Sequence, residues 1–392
     1  MSCTSLKRHA ALAAMACVVL LLAKHSPAAT VYTQTNLVSD GFVPAAHTEP
    51  LLKNPWGISI DPDNGPFWVS NQVTNTASLI DGKGNVQSLV VQIPQRTGGP
   101  QGPTGQVYNE DAAFNLSTGG KTGKAKFIFA GLDGTVTAWN STGDRTKAVT
   151  AFASDTPAVY TGIAIHEGAG RLYVANNATN QIDVLDTGFK KVNLGADAFK
   201  DPQAPAGLSV FNVKNLAGEI YVTYATPGPT ADEAEVGSGA VAVFDTNGKL
   251  LRHLASGGNL TSPWGMELAP AKFGDFGNAL LVGNFSEDNG VINAFDRNTG
   301  AHLGTLNGAD GQPLNNQDLW ALKVGTGLAN TRTDTVYFTA GVGDEEHGLF
   351  GAITAGGGPQ PIPLPAAIWT APAAGLLAMT TAFRIRRRQA LA

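Results

Sequence analysis

The chain has 392 residues, of which 43% are hydrophobic, and a formal net charge of −5. Seven basic residues lie in the end segments 1–29 and 355–392, which contain no Asp or Glu. The body between them therefore holds 19 basic and 31 acidic residues, a net charge of −12, which argues against a nucleic-acid partner. Both cysteines, Cys3 and Cys17, lie in the first segment, so disulfides and thiolate chemistry are excluded from the body.

The first 29 residues are typical of a secretory signal peptide. Lys7, Arg8 and His9 precede an apolar run from Ala10 to Ala23, and small residues follow at 26–29. A basic start, an apolar core and a small-residue end are the marks of such a peptide. A retained membrane anchor is the alternative, although a run of about 14 residues is short for a bilayer span. We therefore expect an exported protein.

A short motif occurs six times and organises the body of the chain. Its first copy is Pro55-Trp56-Gly57, and later copies vary the first two positions around a Gly or, once, an Ala. The marker positions are Gly57, Gly105, Gly162, Gly207, Gly265 and Ala321. Their spacings run from 45 to 58 residues, and a period near this length is typical of propeller blades.

Each copy opens a unit of four predicted strands. The motif strand is followed by an aromatic or aliphatic strand, as at 172–176, and by a third strand that usually ends in an Asp or Asn turn, as at 182–186. The sixth unit lacks a fourth strand, and residues 31–38 have strand character without a unit of their own. We expect that segment to close the ring. Residues 30–354 are thus predicted to form an all-β, six-bladed β-propeller of four-stranded blades.

A second targeting segment follows the body. Residues 355–361 are a Gly/Pro linker, and the apolar stretch 362–383 is long enough for a transmembrane helix. A basic cluster follows it at Arg384, Arg386, Arg387 and Arg388. Basic residues beside a span stay cytoplasmic, so with the signal peptide this tail predicts a body on the periplasmic side of the inner membrane.

The tail 362–392 resembles the PEP-CTERM sorting signal of Gram-negative bacteria, which has a proline motif, an apolar helix and a basic end. Pro363, Leu364 and Pro365 stand where that family has Pro-Glu-Pro. The resemblance implies an exosortase-type processing enzyme as partner. It also implies an address at the inner membrane or, after processing, at the cell surface or outside the cell. A plain C-terminal membrane anchor is the alternative.

The motif strands resemble NHL repeats, best at 54–81 and 160–186. The shared features are the Pro-x-Gly start, the second strand Tyr173-Val174-Ala175-Asn176, and the third strand that ends at Leu185-Asp186. The combination of export signal, propeller and sorting tail is similar to a set of uncharacterised exported bacterial propellers. This resemblance implies fold and address, and no activity.

Amide and carboxylate side chains near the channel are candidate ligands for Ca²⁺ or another divalent cation. They are Asn71, Asn177, Glu267 and Asn284. Such a site would resemble the gluconolactonase-like six-bladed hydrolases, in fold class only. The alternative is that the Asn side chains bond loop backbones. No catalytic residue is identified from the sequence.

Two further features allow two interpretations each. Trp56, Trp264 and Trp320 share one repeat position, where they would either form a ligand-stacking ring at the channel mouth or pack between blades. The acidic run 344–347 would either bind a cation or form a solvated loop. Insertions at 95–103, 226–237 and 306–316 are candidate partner contacts.

The sequence therefore leaves two functional hypotheses. The first is an exported binding scaffold for a surface polymer or a protein ligand. The second is an exported, metal-dependent hydrolase or lactonase. A convergent set of acidic or amide side chains in the channel would favour the second.

Overall fold

The computed structural model of the chain describes residues 29–356, apart from 64, 100, 111–112, 119 and 229. All but one residue of the predicted signal peptide, and the predicted transmembrane helix with its Arg cluster, lie outside these residues. In the described part of the chain, no helix is long and apolar enough to cross a bilayer. The compact unit discussed below begins at Val31.

The strands of this unit are as follows in chain order. Before the first motif lie β1 (Tyr32–Ser39) and β2 (His47–Thr48). Blade 1 contains β3 (Pro55–Ile60), β4 (Phe67–Asn71), β5 (Thr76–Ile80) and β6 (Val86–Gln92). Blade 2 starts with β7 (Pro103–Tyr108), continues through an inserted hairpin of β8 (Asn115–Thr118) and β9 (Lys121–Lys124), and is completed by β10 (Phe127–Gly131), β11 (Thr135–Trp139) and β12 (Val149–Ala153).

The remaining blades follow in the same order. Blade 3 contains β13 (Tyr160–His166), β14 (Arg171–Asn176) and β15 (Gln181–Leu185). Blade 4 contains β16 (Ser209–Leu216), β17 (Glu219–Ala225), β18 (Gly239–Phe244) and β19 (Leu250–Ser256). Blade 5 contains β20 (Pro263–Leu268), β21 (Leu280–Asn284), β22 (Ile292–Phe295) and β23 (His302–Thr305), and blade 6 contains β24 (Leu319–Val324), β25 (Thr335–Ala340) and β26 (Leu349–Ala355). Short 3₁₀ turns lie at Glu167–Ala169 and Gly274–Phe276.

The described strands confirm the predicted six-bladed propeller. The blades are antiparallel sheets, and the motif strand is the innermost strand of each one. Burial falls from the inner to the outer strands, since every residue of β3 and β4 is buried whereas β6 has a single buried residue. Inner strands are covered by neighbouring blades on both faces, which explains their continuous apolar runs.

The ring closes as predicted, with β1 acting as the outer strand of blade 6. It pairs antiparallel with β26 from Tyr32, opposite Ala355, to Ser39, opposite Leu349. The Tyr32 hydroxyl donates to the carbonyl oxygen of Phe273 at 3.2 Å, which ties the closing strand to blade 5. Burial raises the pKa of this Tyr32 hydroxyl to about 12.

Blade 3 departs from the prediction of four strands. Its sheet has three strands, and the position of the fourth is marked only by a single bridge between Leu185 and Lys191. The chain then passes through Pro202 and Pro205, which have no N–H to donate to a ladder. The segment between β15 and β16 therefore covers the blade as an irregular loop.

Blade 4 begins its inner strand later than the sequence predicted. The predicted marker was Gly207, but pairing with β17 places Asn212 opposite Thr223, just after a register shift. Gly265 holds the same place in blade 5, directly after the shift that separates it from Pro263. Asn212 is therefore the true counterpart of the motif glycine, and Phe211 is the counterpart of the tryptophans. The Pro205-Ala206-Gly207 sequence has the same Pro-x-Gly pattern as the motif but lies in the turn before β16.

Candidate ligand-binding site in the central channel

The motif glycines allow the inner strands of neighbouring blades to approach closely. A Cβ atom at Gly57 would lie 2.6 Å from the carbonyl oxygen of Thr104, and one at Gly105 would lie 2.9 Å from the backbone nitrogen of Ile163. Both distances are too short for a side chain, so glycine is required by space at these positions. The repeated motif is thus the contact by which one blade packs on the next around the channel.

Aromatic side chains from four blades fill the channel at the end where the inner strands begin. The rings of Trp56 and Trp320 stack with centroids 3.5 Å apart, and Phe285 also stacks on Trp320 at 3.9 Å. Trp264 meets Trp320 edge-on at 5.6 Å, and Phe211 lies 6.1 Å from it. All five side chains are buried, so they pack against one another and close this end. We call them the aromatic plug.

Beyond the plug, the channel widens into a pocket of about 400 Å³. Trp264 lines it together with the later residues of the inner strands, such as Ile58 and Ile163. Its ionisable side chains include Lys214 and Lys323, while Glu110 and Glu167 lie on the loops after β7 and β13. A pocket of this volume is large enough for a small molecule or one unit of a polymer.

One polar side chain of the pocket wall is used to join blades 1 and 2. The amide nitrogen of Gln106 donates to the carbonyl oxygens of Gly57 at 2.9 Å and Trp68 at 3.0 Å, and to the Ser70 hydroxyl at 2.9 Å. Its amide oxygen accepts from the Ser59 hydroxyl at 2.9 Å. Gln106 is therefore a structural tie between inner strands.

Two lysines share one carboxylate on the opposite wall, which blades 4, 5 and 6 form. The Lys214 ammonium lies 3.4 Å from Glu267 Oε2, and the Lys323 ammonium lies 3.5 Å from the same oxygen. Lys214 also donates to the carbonyl oxygen of Leu322 at 2.9 Å. The side chain of Lys323 is 30% exposed and that of Glu267 is 10% exposed. The two lysines and Glu267 together therefore carry one net positive charge, in a body whose net charge is −12.

Burial and the neighbouring charges shift the pKa values of Lys214 and Glu267. Burial lowers the pKa of the Lys214 ammonium, and the neighbouring charge of Lys323 lowers it further, although Glu267 opposes both. Burial alone would raise the pKa of Glu267, but Lys214 and Lys323 outweigh that effect and lower it. Glu267 is thus an anion at neutral pH, and Lys323 is the more accessible of the two cations.

The three asparagines predicted as metal ligands all bond the protein itself. Asn71 donates to the Thr76 hydroxyl at 3.0 Å, and Asn177 donates to the carbonyl oxygen of Val210 at 3.0 Å. Asn284 donates to one backbone carbonyl and accepts from one backbone N–H. Of these three side chains, only Asn71 has a buried amide oxygen without a partner.

The fourth predicted ligand, Glu267, lies at the other end of the channel. Asn71 and Asn284 pair with Pro55 and Pro263, where their inner strands begin, whereas Glu267 is the penultimate residue of β20. No three His, Cys, Asp or Glu side chains in the described ranges are arranged to hold a metal ion. A metal centre shared by these four residues remains a prediction. The separation of Glu267 from Asn71 and Asn284 does not support it.

The acidic run 344–347 lies in the loop between β25 and β26. His347 Nδ1 lies 2.7 Å from Asp40 Oδ2, and its ring stacks on Phe42 with centroids 4.0 Å apart. Lys53 approaches the same Asp40 oxygen at 2.7 Å. Burial would raise the pKa of Asp40, but its bonds to Lys53 and His347 lower it overall. The loop is therefore anchored through His347 to the segment after β1, and Asp344 is exposed to solvent.

Sequence reasoning missed Asp318, which is the least compensated acid in the described residues. It is fully buried, and neither carboxylate oxygen has a hydrogen-bond partner. A signal was present in the sequence: Asp318 stands two residues before Trp320, as Asn54 does before Trp56 and Ser262 before Trp264. All three polar residues have a positive φ, which turns the chain into the inner strand.

Comparisons with known proteins support the fold and show the family. No protein-family model matches the chain. A structural genomics protein of unknown function from Bacteroides thetaiotaomicron VPI-5482 superposes with a TM-score of 0.54 at 10% identity, covering 83% of this chain and 76% of that one. This similarity concerns the fold alone.

Two uncharacterized proteins of Acanthamoeba polyphaga mimivirus are similar in sequence. Protein R648 is 29% identical over 337 residues, 83% of this chain and 81% of its own length. Protein L690 is 30% identical over 332 residues, 81% of this chain and 84% of its own length. With this identity over most of both proteins, the chain belongs to the same family of β-propellers as the mimivirus protein L690.

Proposed function

We propose that this propeller is an exported binding protein that takes a polar, carboxylate-bearing ligand into its channel pocket. The observation that carries the proposal is the lysine pair on Glu267. Two ammonium groups lie within 3.5 Å of one carboxylate oxygen, so their charge is only half neutralised. An ion-paired ligand carboxylate would complete the neutralisation in a partly buried place, where charge-assisted hydrogen bonds are strong.

The rest of the pocket narrows the ligand class to a sugar acid. Across from the lysine pair, Glu110 and Glu167 lie on the loops of blades 2 and 3, and the Glu110 N–H donates to the Glu167 carboxylate. Carboxylates at this place would accept hydrogen bonds from hydroxyl groups. A uronic acid carries both groups, with one carboxylate for Lys323 and several hydroxyls for the acidic loops. Acidic polysaccharides of the cell surface are the natural source.

The predicted export and sorting segments are consistent with the same function. The leader 1–29 has the order of charges and apolar residues that signal peptides share. The tail with Pro363, Pro365 and the Arg cluster is PEP-CTERM-like, and the strands are NHL-like. A protein delivered through this tail meets surface polymers at its destination, as a surface- or matrix-associated scaffold.

The ligand is tested by calorimetric titration of the purified protein with galacturonate and with galactose, which differ only in the carboxylate. We expect galacturonate to bind and galactose to bind at least about tenfold more weakly. Lys323→Gln should remove this preference, whereas Lys272→Gln, a substitution of an exposed lysine outside the pocket, should keep it. Equal binding of both sugars, or binding of neither, would refute the sugar-acid proposal. Turnover of a sugar lactone in the same samples would support the hydrolase instead.

Sorting is tested by fractionating cells that express the full chain. We expect the protein in the membrane and surface fractions. A double variant, Pro363→Ala with Pro365→Ala, should accumulate unprocessed at the inner membrane. If this variant is sorted and processed like the natural chain, the proline motif has no sorting role and a plain anchor is the better description.

A further inference from the structure

The mouth on the far side of the aromatic plug contains a buried carboxyl group with no partner. Asp318 has no exposed surface, and both its carboxylate oxygens lack hydrogen bonds. Its equivalents in other blades are satisfied: Asn54 accepts from the Trp320 indole at 2.8 Å, and Ser262 donates to the carbonyl oxygen of Ala231 at 2.6 Å. A buried polar group without a partner costs free energy, so a bound partner would stabilise Asp318.

Backbone hydrogen bonds fix Asp318 between loops of blades 5 and 6. The Asp318 N–H donates to the carbonyl oxygen of Ser286 at 3.0 Å, and its carbonyl oxygen accepts from Gly341 N–H at 2.9 Å. Glu345 N–H in turn donates to the Gly341 carbonyl oxygen at 2.9 Å. The carboxyl group is therefore held in place by the backbone rather than by its own side-chain contacts.

The same loops bring other acids to this mouth. Glu287 follows Ser286, and its N–H donates to the carbonyl oxygen of Asp232 in blade 4 at 3.2 Å. Glu345 and Asp344 belong to the β25–β26 loop that bonds Asp318. Asp232, Glu287 and Glu345 are half-buried and Asp344 is exposed. Three blades thus contribute carboxyl groups around one buried Asp.

The charges of these acids act on Asp318. Burial raises its pKa to about 8, and the carboxylates of Glu345, Asp232, Glu287 and Asp344 add to the effect in that order. All contributions have the same sign, so Asp318 lies in a negative potential that favours a cation beside it. A bound cation would relieve both the burial and the repulsion.

We propose that this mouth is a binding site for a hard divalent cation, with Asp318 as its direct protein ligand and Ca²⁺ as the cation that fits best. Oxygen ligands of carboxylates, backbone carbonyls and water are what Ca²⁺ takes. No three ligand-type side chains in the described ranges already enclose one point. The cation therefore keeps water in its shell, and Asp232, Glu287 and Glu345 neutralise it through that water.

This inference does not rest on the proposed sugar-acid function. The plug lies between the two sites, and they share no residue. Lys214 and Lys323 line the pocket and share Glu267, and the acids around Asp318 belong to the opposite mouth. Each site is therefore tested by its own titration, and failure of one leaves the other standing.

The experiment is a titration of the full-length protein with CaCl₂ after treatment with EDTA. We expect one bound Ca²⁺ and a melting temperature that rises with Ca²⁺. Calorimetry measures the stoichiometry and the affinity. Asp318→Asn should lower the affinity at least about tenfold. Asp197→Asn, a substitution of an exposed acid in the blade 3 loop, should behave as the natural chain.

Two results would overturn the proposal. One is a natural chain whose melting temperature and heats do not respond to Ca²⁺. The other is an equal response in Asp318→Asn, which would mean diffuse attraction of Ca²⁺ to an acidic surface. If Asp318→Asn fails to fold, Glu345→Gln replaces it. We expect that variant to bind Ca²⁺ more weakly than the natural chain, and unchanged affinity would count against the site.

Discussion

The indole of Trp56 lies on the indole of Trp320 with ring centroids 3.5 Å apart. Trp56 belongs to the first blade and Trp320 to the last, so this stack joins the two blades at the channel axis. The Thr339 hydroxyl of blade 6 supports it by donating to the Trp56 carbonyl oxygen at 2.8 Å. Two contacts therefore close the circle of blades. One is the aromatic stacking in the centre, and the other is the strand pairing at the outer edge of blade 6.

Removal of the central ring of the plug should destabilise the whole propeller. Trp320 is fully buried and contacts Trp56, Trp264 and Phe285. Trp320→Ala is expected to lower the free energy of unfolding by about 3–5 kcal/mol, through lost burial and the cavity left behind. Urea unfolding followed by circular dichroism measures this change. Leu303→Ala, at a side chain that is 49% exposed, should change it by no more than about 0.5 kcal/mol. Similar losses for both variants would contradict a special role of the plug.

Addition of one methyl group at the blade contact should also be destabilising. A Cβ at Gly57 would meet the backbone of Thr104 at 2.6 Å, whereas a Cβ at Gly99 would meet its nearest atom, on Asp133, at 3.6 Å. Gly57→Ala is therefore expected to lose about 1–3 kcal/mol from overpacking. Gly99→Ala should be neutral or slightly stabilising. Thermal melting of the two variants side by side decides this, and a Gly57→Ala variant as stable as the natural chain would refute the space argument.

The closing strand should be required for a stable monomer. Leu37 and Val38 of β1 are buried, and burial of each such side chain contributes about 1.5–3 kcal/mol. A chain that starts at residue 40 is expected to lose at least about 3 kcal/mol relative to one that starts at residue 30. It should also associate through the unpaired edge of β26. Unfolding curves and size-exclusion chromatography test both points. A monomeric, equally stable short chain would show that β1 is dispensable.

Asp318 should make stability fall as pH rises. Its folded pKa of about 8 exceeds the unfolded value of about 3.9, so the folded state retains a proton that the unfolded state loses. The contribution of this proton to the free energy of unfolding is complete below about pH 4. It is lost as pH rises toward 8, by up to about 1.4 kcal/mol per pH unit.

The measurement is the difference in unfolding free energy between the natural chain and Asp318→Asn, in EDTA, across this pH range. Groups common to both proteins cancel in that difference. We expect the natural chain to lose unfolding free energy relative to Asp318→Asn as the pH rises. A difference that stays constant would show that Asp318 has an ordinary pKa.

The blade count could be predicted from sequence because a local requirement repeats. Gly57 and Gly105 are required where the inner strands of neighbouring blades touch, and each lies near the start of its motif strand. The spacing between such glycines therefore reveals the number of blades. Blade 4 misled this reasoning, since its turn repeats the Pro-x-Gly letters and its true marker is Asn212. Asn212 keeps the contact in another way, by donating to the Trp264 carbonyl oxygen at 2.7 Å.

The sites were harder to predict, because they depend on partners distant in sequence. Asn71, Asn177 and Asn284 have the right chemistry for ligands, but hydrogen bonds within the fold occupy them. Lys214, Glu267 and Lys323 come together only when three blades meet, and Glu267 alone was identified. The lack of a partner at Asp318 is a property of the folded molecule that no local pattern carries.

The pairing of β1 with β26 also decides how the molecule would bear a pulling force. The last described residue, Gly356, donates its N–H to the carbonyl oxygen of Val31 at 2.8 Å, directly after β26 ends. Force applied through residue 356 would run along β26, which is hydrogen-bonded to β1 on one side and to β25 on the other. Such a load acts in shear on two hydrogen-bond ladders, β26–β1 and β26–β25, instead of opening one ladder bond by bond. A propeller tethered through this end would therefore carry the load on a strand that is paired along both sides.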